Sequence, residues 1–292
     1  MVQQLSGHTW TATATFTFDV SCQEPAHKRL RNIQLRKAGF WELLAYTAMK
    51  QLLLLTFMAV ASEAMAQDAQ CVPERAAMVD TIRAYARSEA DVLGLQSMSE
   101  RVLEAMGKTE RHRFIPGGTC SVAYMDAPVL IGHGQTISQP FIVALMTHLA
   151  AVNFDDTVLE VGTGSGYQAA ILTRLVRKVC TIEIIPPLAE AAEKVLRELG
   201  YDNVSVKVGD GYLGWPECGP FDATIVTAAL DHVPPPLIEQ LKVGGRLVMP
   251  LGPAHASQQL TVIEKIAPSE VRTRSISLVA FVPSIRSKDQ MP

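Results

Sequence analysis

The chain has 292 residues and a formal net charge of −3, from 26 Lys and Arg against 29 Asp and Glu, which excludes a nucleic-acid binder working through a basic surface. A hydrophobic share of 48% with only 19% charged residues excludes a disordered chain. No apolar run reaches the roughly 18–20 residues that span a bilayer; five cysteines are too few for a disulfide scaffold, and no His or Cys spacing suits a metal.

Residues 1–48 keep no steady period of 2 or 3.6. They pass from a Thr-rich stretch, Thr9 to Thr17, into a basic cluster of Lys28, Arg29, Arg31, Arg36 and Lys37. From Met49 the order changes: Met49-Lys50-Gln51, an apolar run from Leu52 to Ala61, then Ala64-Met65-Ala66. A cationic start, about ten apolar residues and a small-x-small site are the three parts of a secretory signal peptide, here 49–66. Cleavage after Ala66 would release a chain starting at Gln67 into the periplasm or the medium, with no stable membrane insertion. Residues 1–48 would then be an unstructured extension upstream of the true start. Glu63 is an awkward acid beside the site, and an uncleaved apolar segment on a cytoplasmic protein is the alternative. Export would also permit Cys71 and Cys120 to pair.

A helical lead-in follows. Pro73 to about Gly94 has a helical pattern with Ala76, Ala77, Val79, Ile82, Tyr85 and Ala86 on one side. Ser99 to Met106 reads as a second helix, ended by Gly107. An alternating core then begins. Val158–Val161 is a short buried strand, and Tyr167–Lys178 a helix. Val179–Ile184 is a strand, Pro187–Leu199 a helix, and Val204–Val208 and Phe221–Thr227 are further strands. Pro234–Leu241 is helical and Arg246–Leu251 a fifth strand. Gln259–Lys265 and Ser275–Val282 alternate as an antiparallel closing pair would. Strands alternating with helices predict an α/β fold: a doubly wound, mainly parallel sheet of seven strands. Cys180, in a buried strand, is expected to be an inert core thiol. Tyr167 and Trp215 read as packing residues, and His133, His148, His232 and His255 as scattered ones.

Gly162-Thr163-Gly164-Ser165-Gly166 joins the first core strand to its helix, which lets backbone approach a ligand closely. The spacing is GxGxG, not the dinucleotide GxGxxG, because Tyr167 stands where that fingerprint needs its last glycine. A tight structural turn would use the same glycines. Glu160 precedes the turn, Glu183 ends the second strand, where a carboxylate can accept from both ribose hydroxyls, and Asp210-Gly211 follows the third. Three such elements at the carboxyl ends of strands favour an adenosine-containing cofactor without a pyrophosphate, and disfavour a nicotinamide oxidoreductase.

Glu160-Val161-Gly162-Thr163-Gly164-Ser165-Gly166-Tyr167 resembles motif I of the S-adenosylmethionine-dependent methyltransferases. Gly132-His133-Gly134-Gln135-Thr136-Ile137-Ser138-Gln139-Pro140 resembles, more specifically, the signature of the protein-L-isoaspartate O-methyltransferases. Arg111 to Pro116, Ala123 to Asp126, Gly209-Asp210-Gly211, Pro220-Phe221-Asp222, Gly244 to Val248 and Phe281-Val282-Pro283 match in the same order. The resemblance runs from about residue 75 to 285. Residues 1–66 depart from the usual cytoplasmic enzyme, and the loop Gly117 to Cys120 is locally unusual.

The resemblance implies a Rossmann-like methyltransferase domain over 67–292. Residues 67–152 would be lead-in and acceptor segment, and 153–292 the α/β core. It implies that Ser138 is the active-site serine, and that Thr136, Ile137, Ser138 and Gln139 border cofactor and acceptor. It assigns Glu160, Gly162, Gly164, Gly166, Glu183, Asp210 and Gly211 to S-adenosylmethionine. The implied acceptor is the free α-carboxylate of an isoaspartyl residue in a damaged protein. Methylation would start repair through a succinimide, without metal or nucleic acid and with the enzyme as a monomer. A different carboxylate or small-molecule acceptor, or a non-catalytic binding protein on the same fold, are the alternatives. By position alone, Ser138 could equally cap the helix that Pro140 starts.

Overall fold

The computed structural model describes residues 45–46, 49–52, 54–56, 58, 71–253 and 256–285. The described part of the expected signal segment is helical; its cleavage site, residues 1–44 and His255 lie outside the described residues. Among the described residues no helix is long and apolar enough to cross a membrane. The chain divides into two units, 1–64 and 65–292, and the second holds the sheet.

The lead-in starts with α1 (Val72–Ser88) and α2 (Glu100–Lys108). The buried face of α1 is Met78, Ile82 and Ala86, spaced by four, so Ala76, Ala77 and Tyr85 face outward, contrary to expectation. Helix α2 runs through Gly107 instead of ending there. A Cβ at Gly107 would meet only Val79, at 3.6 Å, and one glycine inside a short helix is tolerated. A short hairpin, β1 (Val129–Gly132) and β2 (Gln135–Ile137), then leads into α3 (Pro140–Ala150).

The core alternates as its sequence requires: β3 (Thr157–Val161), α4 (Tyr167–Thr173), β4 (Lys178–Glu183), α5 (Pro186–Glu198) and β5 (Val204–Val208). After it come β6 (Phe221–Val226), α6 (Pro235–Glu239), β7 (Leu241–Leu251), β8 (Gln258–Ala267) and β9 (Glu270–Val279). Seven strands form one sheet in the order β5-β4-β3-β6-β7-β8-β9. The first five are parallel and β8 and β9 antiparallel, as the alternation and the closing pair predict. Every residue of β3 is buried. Val158 belongs to the apolar cluster on one face, Leu159 and Val161 to the cluster on the other. At the outer edge, β9 exposes Arg272 and Arg274, charges that discourage pairing with another strand.

Element ends differ by a few residues. Helix α4 stops at Thr173, not Lys178, because Lys178 already opens β4. Strand β9 starts and ends earlier than the alternation suggested, and residues 281–285 leave the sheet: Ala229 N donates to Val282 O and Ser284 N to Ala229 O, both at 2.9 Å.

Two disulfides form. Cys71 pairs with Cys120 across 5.3 Å between Cα atoms, as export would permit. Cys180 is not the free thiol expected: it pairs with Cys218, Cα atoms 6.6 Å apart. The irregular segment after β5 carries Cys218 back under the same apolar cluster as Cys180, a return that no strand or helix period announces.

Candidate active site

The strand order reverses between β3 and β6, and open α/β sheets bind ligands in the crevice at that switch. There β3 gives way to the glycine turn. Gly162 holds φ +95°, and a Cβ on it would collide with Thr227 Oγ1, just past β6. Thr227 Oγ1 donates to Gly162 O at 2.6 Å and to Val161 O at 3.0 Å, closing the turn against β6. Gly166, at φ +87°, would place a Cβ 3.3 Å from Ala192 and Leu196, so α4 and α5 approach closely only because it is glycine.

Glu183 ties this turn to β4. Its Oε2 accepts from Gly164 N at 2.8 Å and its Oε1 from Ile185 N at 3.0 Å. A carboxylate oxygen has two acceptor sites, so each keeps one for a ligand hydroxyl. Glu160 lies deeper and is wholly buried. Its Oε2 accepts from Thr181 Oγ1 at 2.6 Å, while Oε1 has no partner among the described residues. Burial raises its carboxyl to about 8; the Thr181 hydroxyl opposes the rise and the Glu183 charge adds to it. Protonated at neutral pH, this carboxyl can both donate and accept, so the unpartnered Oε1 is a place for a polar group of a bound ligand.

One cleft collects most of the expected residues. Thr136, Ile137 and Ser138 line it on the hairpin side, and Glu160, Gly162, Gly164, Glu183 and Gly211 on the sheet side. Gln139, Gly166 and Asp210 are not on its wall. Gln139 Nε2 instead donates to Asp126 Oδ2, and Asp210 Oδ1 accepts from Tyr212 N at 3.0 Å, so Asp210 shapes the loop that presents Gly211.

Ser138 does not cap α3. The N-cap is Gln139, without a side-chain bond, and Phe141 N donates to Asp126 Oδ1 at 2.8 Å. Among the described residues the Ser138 hydroxyl has no side-chain hydrogen bond, and its carbonyl accepts from Arg111 Nη2 at 2.8 Å. Tyr167 does pack as expected, 1% exposed beneath the Arg111 guanidinium and edge-on to Phe114, though it also touches the cleft. Trp215 packs against the second cluster. Sequence reasoning gave no role to Arg111, Asp126 or Thr227. It also missed that Val282 to Ile285 wall the cleft; the bridge between Ala229 and Pro283 that puts them there is tertiary.

A sequence profile of the protein-L-isoaspartate(D-aspartate) O-methyltransferases matches residues 93–289. A protein-L-isoaspartate O-methyltransferase 2 from a Polaromonas species is 55% identical over 206 residues, 70% of this chain and 98% of the relative. Another from Syntrophobacter fumaroxidans is 51% identical over 231 residues, 79% of this chain and 94% of the relative. A solved protein-L-isoaspartate O-methyltransferase superposes with a TM-score of 0.64 at 27% identity, over 72% of this chain and 65% of the other. With the glycine turn, the two acids and the Gln135-Thr136-Ile137-Ser138 segment meeting in one cleft, the chain belongs to the protein-L-isoaspartate(D-aspartate) O-methyltransferase family.

Proposed function

We propose that this cleft methylates the free α-carboxylate of isoaspartyl residues with a methyl group from S-adenosylmethionine, Ser138 acting on the acceptor side and Glu183 on the cofactor side. The chain is a protein-L-isoaspartate O-methyltransferase, and the proposal concerns which residues do the work. The single observation behind it is that Ser138, its hydroxyl free of side-chain hydrogen bonds among the described residues, shares one cleft with Glu183 and the glycine turn.

Residues on the sheet side fit the cofactor. Glu183, held by two backbone N–H groups, has acceptor sites left for a ribose diol, and Gly162 and Gly164 leave room for a close approach. Glu160 Oε1, without a partner among the described residues, stands ready for a polar group of the ligand. When bound, S-adenosylmethionine supplies a methyl group on a cationic sulfur, open to in-line displacement. An isoaspartyl carboxylate is ionised at neutral pH, its reference pKa being about 3.5, so no strong base is needed. Ser138 can then donate a hydrogen bond that aims the carboxylate, and orientation with exclusion of water accounts for the rate. In the methyl ester formed, methoxide leaves far more readily than oxide would from a carboxylate. The next backbone nitrogen therefore attacks the ester carbonyl and expels methanol, closing a succinimide.

We further infer export, with residues 49–66 as a removed signal and 67–292 as the working domain. Two disulfides support an oxidising compartment. The test of function is transfer of labelled methyl to an isoaspartyl peptide and to its normal aspartyl twin. Labelling of the first alone is expected; equal labelling of both would refute isoaspartyl specificity.

A further inference from the structure

The segment between β2 and α3 carries Ser138 but has no regular structure of its own to hold it. Two side chains from the lead-in grip it from opposite sides. Arg111 is fully buried. Its Nε donates to Ala123 O and its Nη2 to Ser138 O, both at 2.8 Å, and its guanidinium carbon stands 4.8 Å from the Tyr167 ring centre. Asp126 works from the next residue along: Oδ2 accepts from Gln139 Nε2 and Oδ1 from Phe141 N, each at 2.8 Å. Neither Arg111 nor Asp126 reaches the cleft wall.

We propose that Arg111 and the Asp126–Gln139 pair are positioning residues of the methyl transfer, fixing the peptide unit of Ser138 so that its hydroxyl stays presented to the cleft. This rests on the acceptor-side reading of Ser138 given above. Burying a guanidinium is unfavourable by several kcal/mol unless its geometry repays it, and an apolar side chain would fill the same space without that penalty. What an apolar side chain lacks is a directional bond to the Ser138 carbonyl. The pair with Asp126 adds bonds to Gln139 and Phe141, the residues that follow Ser138 at the start of the helix. Ser138 is thereby located by contacts reaching 27 residues back to Arg111, and its neighbour Gln139 by one 13 residues away.

A donor–acceptor swap in the full-length chain separates positioning from mere support. Asp126→Asn alone is no test, because the Gln139 amide can turn over and accept from it. Gln139→Glu instead sets a carboxylate against the Asp126 carboxylate while Asp126 Oδ1 still accepts from Phe141 N. It should lower kcat about tenfold to a hundredfold, the penalty of a misplacement near 1 Å. Cofactor affinity by calorimetry should stay within about twofold, because the interaction lost serves the transition state. Asp126→Asn combined with Gln139→Glu restores the bond in reverse and should recover kcat to within about threefold of wild type, the signature of direct coupling. Should Gln139→Glu not fold, Gln139→Ala, which leaves the Phe141 bond in place, carries the same expectation. An unchanged kcat per folded molecule, an equal loss of cofactor affinity, or no recovery in a folded double variant would each overturn the inference. Wild-type enzyme that ignored isoaspartyl peptide would overturn the functional reading as well, so the two failures are distinguishable.

Discussion

The two walls of the cleft are built on different principles. The sheet-side wall, proposed above for the cofactor and called here the cofactor wall, is backbone: strand ends at a topological switch, a glycine turn, and one carboxylate held by two N–H groups. The hairpin-side wall, proposed for the acceptor and called here the acceptor wall, is a short irregular segment held by side chains from distant parts of the lead-in, Arg111 and Asp126, with a disulfide at the base of that lead-in. A wall made of backbone is fixed once the sheet forms. A wall made of side chains can be loosened by one substitution without disturbing the sheet.

The largest effect should come from the base of the acceptor wall. Replacing Cys71 and Cys120 by alanine opens a loop whose ends are 49 residues apart. Chain entropy puts the loss near 4 kcal/mol, measurable as a lower urea midpoint with a steeper slope, because the unfolded chain expands without the cross-link.

Next is Glu160. The native chain keeps this proton up to about pH 8, whereas an unfolded glutamate releases it near 4.5. Between those values the unfolded state binds fewer protons, so stability falls as pH rises from 4.5 to 8 and levels off above. Glu160→Gln should remove that slope, raising stability on the order of 4 kcal/mol at pH 8 and leaving it unchanged near pH 4. Urea titrations of both proteins across that range would show it.

On the cofactor wall, Glu183→Ala leaves Gly164 N and Ile185 N without their acceptor and deprives a ribose of its own. Cofactor affinity should drop about a hundredfold. On the acceptor wall, Ser138→Ala removes one hydrogen bond to the acceptor and should lower kcat about tenfold, with the melting temperature nearly unchanged because the hydroxyl caps nothing.

This contrast also explains what could be read from the sequence. The parallel strands, the switch and the glycine turn are local patterns, and β3, β5 and β6 lie within a residue of where their apolar runs put them. Glu160 and Glu183 were legible because a strand end fixes where such an acid points. Asp210 was less so: its loop turns the side chain to Tyr212 N and gives the wall position to Gly211. The acceptor wall resisted because its geometry is written in pairings 13 to 27 residues apart that no period marks. The motifs around Arg111 and Asp126 stood out by resemblance, but their purpose needed the fold. Cys180 looked inert for the same reason, its partner lying 38 residues on in an irregular segment.

The most direct test of the two-wall account is cofactor affinity measured by calorimetry on Ser138→Ala and Glu183→Ala side by side, with kcat on isoaspartyl peptide for each. The account expects Ser138→Ala to bind S-adenosylmethionine like wild type while turning over slowly, and Glu183→Ala to lose affinity while recovering most of its rate at saturating cofactor. Equal loss of cofactor affinity in both variants would contradict it.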